Sequence, residues 1–219
     1  MNYTKGKIIC IGDIHGELYK LQKLFNKISI GEDDTIIFLG DYIDRGQYSK
    51  QVIDYIMDLK TKHNVITLEG NHEQMARSAY KGSIQFYMDW CRNGGETTFK
   101  SYKEHEYPLE VMFEGYQKDF FDNLKLCHEE ENFIFAHGYI DGDLDCCDQN
   151  RWPCLWYRFD DIQPHKSGKT VVVGHTIQRG GITNKGYKIC IDTGSFLRDG
   201  FLTAMVIDGG KVGYINSEN

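Results

Sequence analysis

Six side chains of metal-binding type each stand beside a glycine in this sequence: Asp13, His15, Asp41, Asn71, His137 and His175. Taken singly, they have ordinary explanations. An aspartate before a turn is commonly a turn former or helix cap. A lone histidine is commonly a hydrogen-bonded structural residue. The set is harder to explain that way, because the neighbouring glycines let backbone approach a bound ligand closely. Mixed carboxylate, amide and imidazole donors suit Mn, Fe, Zn or Co better than Ca or Mg. Six donors are too many for one ion that keeps open positions. Two ions about 3.5–4 Å apart, bridged by a carboxylate, use them naturally and activate water as a nucleophile.

Hydrophobic periodicity supplies the elements that would position these groups. Lys7 to Ile11, Ile36 to Leu39 and Val65 to Leu68 are short apolar runs that predict buried strands. Between them, Leu18, Leu21, Phe25 and Ile28, then Val52, Ile53, Ile56 and Leu59, recur at helical spacing. Alternating strands and helices predict parallel strands with crossover helices. Ligands of such sheets bind at the carboxyl ends of the strands, where Asp13, Asp41 and Asn71 fall. Residues 73 to about 125 read as several short helices, with Trp90 and the Asn93-Gly94-Gly95 turn among them. The stretch 83–123 is expected to cap the site within a single domain spanning 1–219. A strand-rich half follows: Phe133–Ala136, Thr170–Val173, Tyr187–Ile191, Phe201–Ile207 and Val212–Ile215, the last two joined by Gly209-Gly210. His137 and His175 lie just after two of these strands.

Composition narrows the function classes. A chain of 219 residues with 41% apolar side chains can bury a sizeable core and is not disordered. Its net charge of -7, with no basic run, argues against a duplex nucleic-acid binder. An acidic chain can still hold phosphate where metal ions and arginines make a cleft locally positive. No apolar run reaches the roughly 18 residues of a membrane span, so no membrane partner is expected. The polar stretch from Met1 to Lys7 lacks the apolar core of a signal peptide, which predicts a cytoplasmic protein. A monomer is expected. Seven cysteines at irregular spacings point away from a disulfide framework and toward a reducing compartment. Cys146, Cys147 and Cys154 lack the paired spacing of a zinc site and are expected to be free thiols. The acidic stretch from Asp141 to Arg151 reads as a surface loop.

The motifs carry a resemblance. Gly12-Asp13-Ile14-His15-Gly16, Gly40-Asp41-Tyr42-Ile43-Asp44-Arg45-Gly46 and Gly70-Asn71-His72-Glu73 resemble, in order and spacing, the signature of the phosphoprotein phosphatase family of metallophosphoesterases. His137-Gly138 and Gly174-His175 resemble its two later metal histidines, and Asp192-Thr193-Gly194 its late strand-end motif. The resemblance runs from about residue 7 to 207. Length and the Gly70–Met75 stretch are most similar to the small bacterial and bacteriophage lambda-type serine/threonine phosphatases. It implies an α/β protein of calcineurin-like metallophosphoesterase fold, a central β-sandwich flanked by helices, with a small helical cap.

The resemblance also implies roles. Asp13 and His15 would hold one metal, Asn71, His137 and His175 the second, and Asp41 would bridge them. The ions would be divalent, Mn²⁺ foremost, with Fe, Zn or Co as alternatives. A metal-bound hydroxide would attack phosphorus, and His72 would be the general acid, oriented by Asp44. Arg45 and Arg158 would clamp the phosphate, since a guanidinium fork grips two oxygens at once; Asn71 would also face substrate. Arg158 comes from Leu155-Trp156-Tyr157-Arg158, a looser match. Two positions depart from the family pattern: Glu69 stands where many relatives have arginine, and Tyr139 follows the His137-Gly138 block.

The expected activity is hydrolysis of phosphoserine and phosphothreonine in proteins or peptides, extending to phosphotyrosine and small aryl phosphates. A symmetrical dinucleoside tetraphosphate hydrolase would share the same motifs. A metal-binding scaffold without catalysis would lack a ligand or the acid, and here all are present. The 83–123 segment, inserted beside the site, is expected to govern substrate choice through Trp90, Phe86 and Asn93, the alternative being that Trp90 and Phe86 form the small core of this lobe.

Overall fold

The computed structural model describes residues 4–218; Met1 to Tyr3, part of the polar N-terminal stretch, and Asn219 lie outside the described residues. The first half alternates as the periodicity predicts: β1 (Ile8–Ile11), α1 (Leu18–Phe25), β2 (Thr35–Phe38), α2 (Ser49–Lys60) and β3 (Asn64–Thr67). Helix α1 stops before Ile28, which nevertheless packs on the core. A helical stretch follows, with α3 (Asn71–Tyr80), α4 (Ile84–Trp90), α5 (Glu96–Ser101), α6 (Pro108–Phe113) and α7 (Lys118–Asp122). A π-helical turn, Cys91–Gly95, joins α4 to α5, with Gly94 at φ 103°. The second half contains β4 (Cys127–Glu129), β5 (Phe133–Ala136), α8 (Arg151–Trp156), β6 (Thr170–Val173), β7 (Thr183–Asn184), β8 (Lys188–Cys190), β9 (Thr203–Asp208) and β10 (Lys211–Asn216).

Two five-stranded mixed sheets form a sandwich, in the orders β10-β9-β1-β2-β3 and β4-β5-β6-β8-β7. The parallel cores are β1-β2-β3 and β5-β6-β8; β9, β10, β4 and β7 run antiparallel at the flanks. Strands β4 and β7 escape sequence prediction because they are two or three residues long and mostly polar.

Strand alternation sorts the apolar side chains into layers. Ile8 and Cys10 of β1 point between the sheets, where they meet Ile37, Phe135, Val172 and Met205. Ile9 and Ile11 point the other way, onto Leu21, Leu24, Val52 and Ile56 of α1 and α2. The far face of the second sheet buries Ile134, Val171 and Val173 against Cys154, Phe159 and Ile162. Helices α4 to α7 have no separate core: Trp90, Tyr102, Met112 and Phe120 belong to the same cluster as Ile9 and Phe38. Among the described residues, no helix is long and apolar enough to cross a membrane.

The cysteine expectation needs correction. Cys127 and Cys146 form a disulfide, so Cys146 is not a free thiol. The unpredicted strand β4 brings Cys127 to the 141–151 loop. Cys154 is buried on α8, its thiol pushed up to about 12 by that burial. Cys147 is free and exposed.

Candidate dinuclear metal site

The strand ends of both sheets converge on one buried patch. Asp13 and His15 follow β1, Asp41 follows β2, Asn71 opens α3 after β3, His137 follows β5 and His175 follows β6. All but His175 are 5% exposed or less. Among the described residues, five other than glycine have a positive φ: His15 (49°), Asp41 (50°), Asp44 (73°), Arg45 (67°) and His175 (59°). Every one belongs to this patch. The left-handed region is disfavoured for side chains with a Cβ, by about 1–3 kcal/mol each, and such strain gathers where surrounding contacts enforce a working geometry.

Those contacts are visible. Glu73, fully buried, accepts from the backbone N–H groups of Asp41 (2.9 Å), Tyr42 (2.8 Å) and Gly70 (3.0 Å). The Asp41 carbonyl accepts from the N–H groups of Ile14 (3.1 Å) and His15 (2.8 Å), tying the first two motifs together. Glycine is required at two closures: a Cβ on Gly70 would strike Asp41, and one on Gly174 would strike the Asp13 carboxylate.

The donor atoms form two groups sharing Asp41. His15, Asp41 and His72 make one, and Asp41, His137 and His175 the other, each with its ligand atoms within 4.8 Å of one another. Asp41 Oδ2 lies 3.5 Å from His15 Nε2 and Oδ1 lies 3.5 Å from His137 Nε2, so its two oxygens face opposite groups. Asn71 Oδ1 joins the second group, 2.9 Å from His137 Nε2 and 3.0 Å from His175 Nδ1. The Asp13 carboxylate accepts the His175 backbone N–H (3.0 and 3.2 Å), which ties the end of β1 to the end of β6.

The donor chemistry fits cations. His137 donates Nδ1–H to the Leu39 carbonyl (3.0 Å), and burial keeps its ring neutral. Its Nε2 is therefore a lone pair, and it faces Asn71 Oδ1, another lone-pair atom. A cation between them satisfies both. His15 likewise gives Nδ1–H to the Ile43 carbonyl (2.9 Å) and turns Nε2 inward. Burial, then His137, lowers His175 to about 3, which keeps it neutral. Burial would raise Asp41, but His137 first, then His72 and His15, hold it well below the usual carboxylate range. Burial, then Asp192 and Asp41, push Asp13 up. Burial raises Asp192 to about 6. Carboxyls crowded in one buried site are what divalent cations relieve.

His72 sits at the edge of this cluster. Its Nδ1 is 2.6 Å from Asp44 Oδ2, and its Nε2 accepts from Arg45 Nη2 at 3.1 Å. Arg45 also donates Nη1 to His15 Nε2 (3.0 Å) and lies 4.4 Å from the Phe196 ring centroid. Arg158 is exposed, and its charge reaches His175. The Gly138 N–H bonds to the Cys154 carbonyl (2.8 Å), and Phe159 N–H to Thr176 Oγ1 (3.1 Å), so the chain around Arg158 runs alongside His175. Glu69 is buried and bonded to Arg151, so it faces α8. Tyr139 packs edge-on against Tyr157.

Sequence reasoning missed several groups here. Glu73 lay inside a quoted motif without a role. Phe196 has no local signal. Trp90 was expected to meet substrate; instead it is fully buried, and its indole Nε1–H donates to Asp44 Oδ2 at 2.7 Å. Phe86 packs on the core, and Asn93 donates to the Asp89 carbonyl.

Comparison with known proteins agrees with this architecture. The calcineurin-like phosphoesterase family model matches residues 6–186. A candidate diadenosine tetraphosphatase superposes with a TM-score of 0.71 at 19% identity, covering 100% of this chain and 97% of that one. A cold-active protein-tyrosine phosphatase of a psychrophilic Shewanella gives 0.63 at 14% identity, covering 97% and 80%. A protein serine/threonine phosphatase from Saccharomyces cerevisiae gives 0.61 at 18% identity, covering 94% and 74%. These likenesses concern the fold. The chain belongs to the calcineurin-like phosphoesterase family. It is a metal-dependent phosphoesterase with a buried His/Asp cluster suited to two divalent ions.

Proposed function

We propose that this phosphoesterase removes phosphate from serine and threonine side chains of proteins or peptides, with phosphotyrosine and aryl phosphates as further substrates. The carrying observation is the buried Asp44–His72 pair at the edge of the two metal groups. Serine and threonine leave as alkoxides, which need a proton as the P–O bond breaks. A dinucleoside polyphosphate releases a phosphate oxygen, which needs none. An acid seated on its own buried carboxylate suits poor leaving groups, and the demand for that proton, not the presence of the pair, separates phosphomonoesters from dinucleoside tetraphosphates.

Asp13, His15 and Asp41 would hold one cation and Asp41, Asn71, His137 and His175 the other. When bound, Mn²⁺ or a similar pair supplies Lewis acidity and a water acidic enough to attack phosphorus. The protein does the rest. Arg45 now donates to His15 and His72; an arriving phosphate would draw its guanidinium away, assisted by Arg158. His72 Nε2 is then free to carry the proton given to the leaving oxygen, while Asp44 holds Nδ1. Phe196 under Arg45 steers the guanidinium.

A second reading, hydrolysis of dinucleoside tetraphosphates, is favoured by one observation. Trp152 and Trp156 stack on α8 with ring centroids 5.2 Å apart and planes 21° from parallel, and Trp152 is 54% exposed. An exposed flat ring six residues before Arg158 in the chain is a surface on which a nucleobase could stack.

A turnover panel with Mn²⁺ separates the two. Faster hydrolysis of a phosphoserine peptide than of a dinucleoside tetraphosphate supports the protein phosphatase. The reverse order supports the second reading, and turnover of neither refutes both.

A further inference from the structure

Asp44 is fully buried and has more partners than the acid it serves. Oδ2 faces His72 Nδ1 (2.6 Å) and also receives Trp90 Nε1–H (2.7 Å). Oδ1 receives the Thr98 hydroxyl at 2.6 Å. The Asp44 backbone N–H in turn lies 2.9 Å from Thr98 Oγ1 and 3.0 Å from Ser49 Oγ. Trp90 ends α4 and Thr98 lies in α5, on either side of the π-helical turn; both are fully buried. That turn also reaches the site directly, since the Gly94 carbonyl accepts the Arg45 N–H at 3.3 Å. Gly95 packs against the Trp90 indole so closely that a Cβ there would clash.

We propose that Trp90 and Thr98 are positioning residues for proton donation: they fix both oxygens of Asp44 so that its carboxylate presents one lone pair to His72 in one orientation. The inference deepens the reading of His72 as the acid and rests on it. In the step itself, water oxygen bonds to phosphorus and the ester P–O bond breaks with its electron pair moving to the leaving oxygen. Once Arg45 has turned to the phosphate, His72 Nε2 takes a proton from solvent and gives it to that oxygen, and one proton of the attacking water passes to solvent. Asp44 remains a carboxylate throughout. A carboxylate free to rotate would let the imidazole tilt and lengthen the proton's path. Fixing a group through hydrogen bonds to its partner is how supporting residues raise turnover without touching substrate. The helical stretch 83–123 is thereby tied to the chemistry.

The position of the effect distinguishes this from ordinary packing. A residue that only fills space slows every substrate alike. A residue that places the acid slows substrates in proportion to how much their leaving group needs the proton. The test uses Trp90→Phe, Thr98→Val and Thr98→Ser in the metal-loaded enzyme, on esters ranging from p-nitrophenyl phosphate to a phosphoserine peptide. Metal content is measured by elemental analysis and folding by melting. Trp90→Phe and Thr98→Val are each expected to lower kcat about tenfold on the phosphoserine peptide and less than about twofold on p-nitrophenyl phosphate. Metal content should be unchanged, and Thr98→Ser, which keeps the hydroxyl, should restore most of the loss. Equal losses on all esters, or no loss in Thr98→Val, would overturn the proposal. His72→Asn is run alongside. If it shows no dependence on leaving group, the acid reading itself fails. If it shows that dependence and the Trp90 and Thr98 variants do not, only this inference fails.

Discussion

Arg45 and Arg158 are proposed to grip the same phosphate, yet the molecule holds them differently. Arg45 is half-buried on a turn with φ 67°, its backbone bonded to Gly94, its guanidinium over Phe196 and against His15 and His72. Arg158 is exposed, and the chain after it is fastened from far away. Lys188, buried in β8, donates its ammonium to the carbonyls of Phe159 (2.9 Å), Ile162 (3.0 Å) and Asp160 (3.2 Å). One arginine is preset by the same turns that hold the metal-binding groups. The other depends on a loop pinned to the second sheet. Catalysis should therefore be sensitive to the first region, and substrate affinity to the second.

Six substitutions test that contrast. Asp41→Asn should have the largest effect, because its oxygens face both donor groups. Both ions should be lost or weakened together, with turnover falling by at least about 10³-fold; elemental analysis and kinetics check it. Asp13→Asn should weaken mainly one ion. His72→Asn should lower kcat by about 10²–10⁴-fold with both ions retained; loss of metal in this variant would move His72 into the ligand set.

Next come the arginines. Arg45→Ala should lower kcat/KM by about 10²-fold, mostly through kcat, and Arg158→Ala by about tenfold, mostly through KM. Equal effects on kcat would erase the distinction. The smallest catalytic change should come from Lys188→Met. It leaves three carbonyls short of a donor and should destabilise the fold by about 1–3 kcal/mol in urea unfolding. KM should rise less than in Arg158→Ala, with metal content intact. A kcat loss matching Arg45→Ala would mean that the loop reaches the chemistry.

The same contrast explains what could be read from the sequence. Asp13, His15, Asp41, Asn71, His137 and His175 all sit one to four residues past an apolar run. Strand prediction and local residue type were enough to place them at the ends of strands, which belong to both sheets. The bonds that lock them were not legible in the sequence: Glu73 reaches Asp41 and Tyr42 across 32 and 31 positions of chain. Trp90, Thr98 and Lys188 reach their partners across 46, 54 and about 29 positions of chain. No local pattern marks such a partner, so Trp90 was assigned to substrate recognition. Cys127–Cys146 failed for the same reason. Its strand, β4, is three polar residues without a period to detect. Of the antiparallel pairs, β9–β10 was legible from its Gly209-Gly210 hairpin turn, whereas those of β4 and β7 were not.

The central claim is that this chain works through two divalent cations held by donor groups sharing Asp41. Stripping the protein of metal with a chelator and returning Mn²⁺ in steps, with elemental analysis and phosphoester turnover read at each step, tests it directly. Negligible turnover is expected in the stripped protein, with recovery that saturates at two ions per chain. Full turnover in protein shown to be metal-free, or saturation at a single ion, would contradict it.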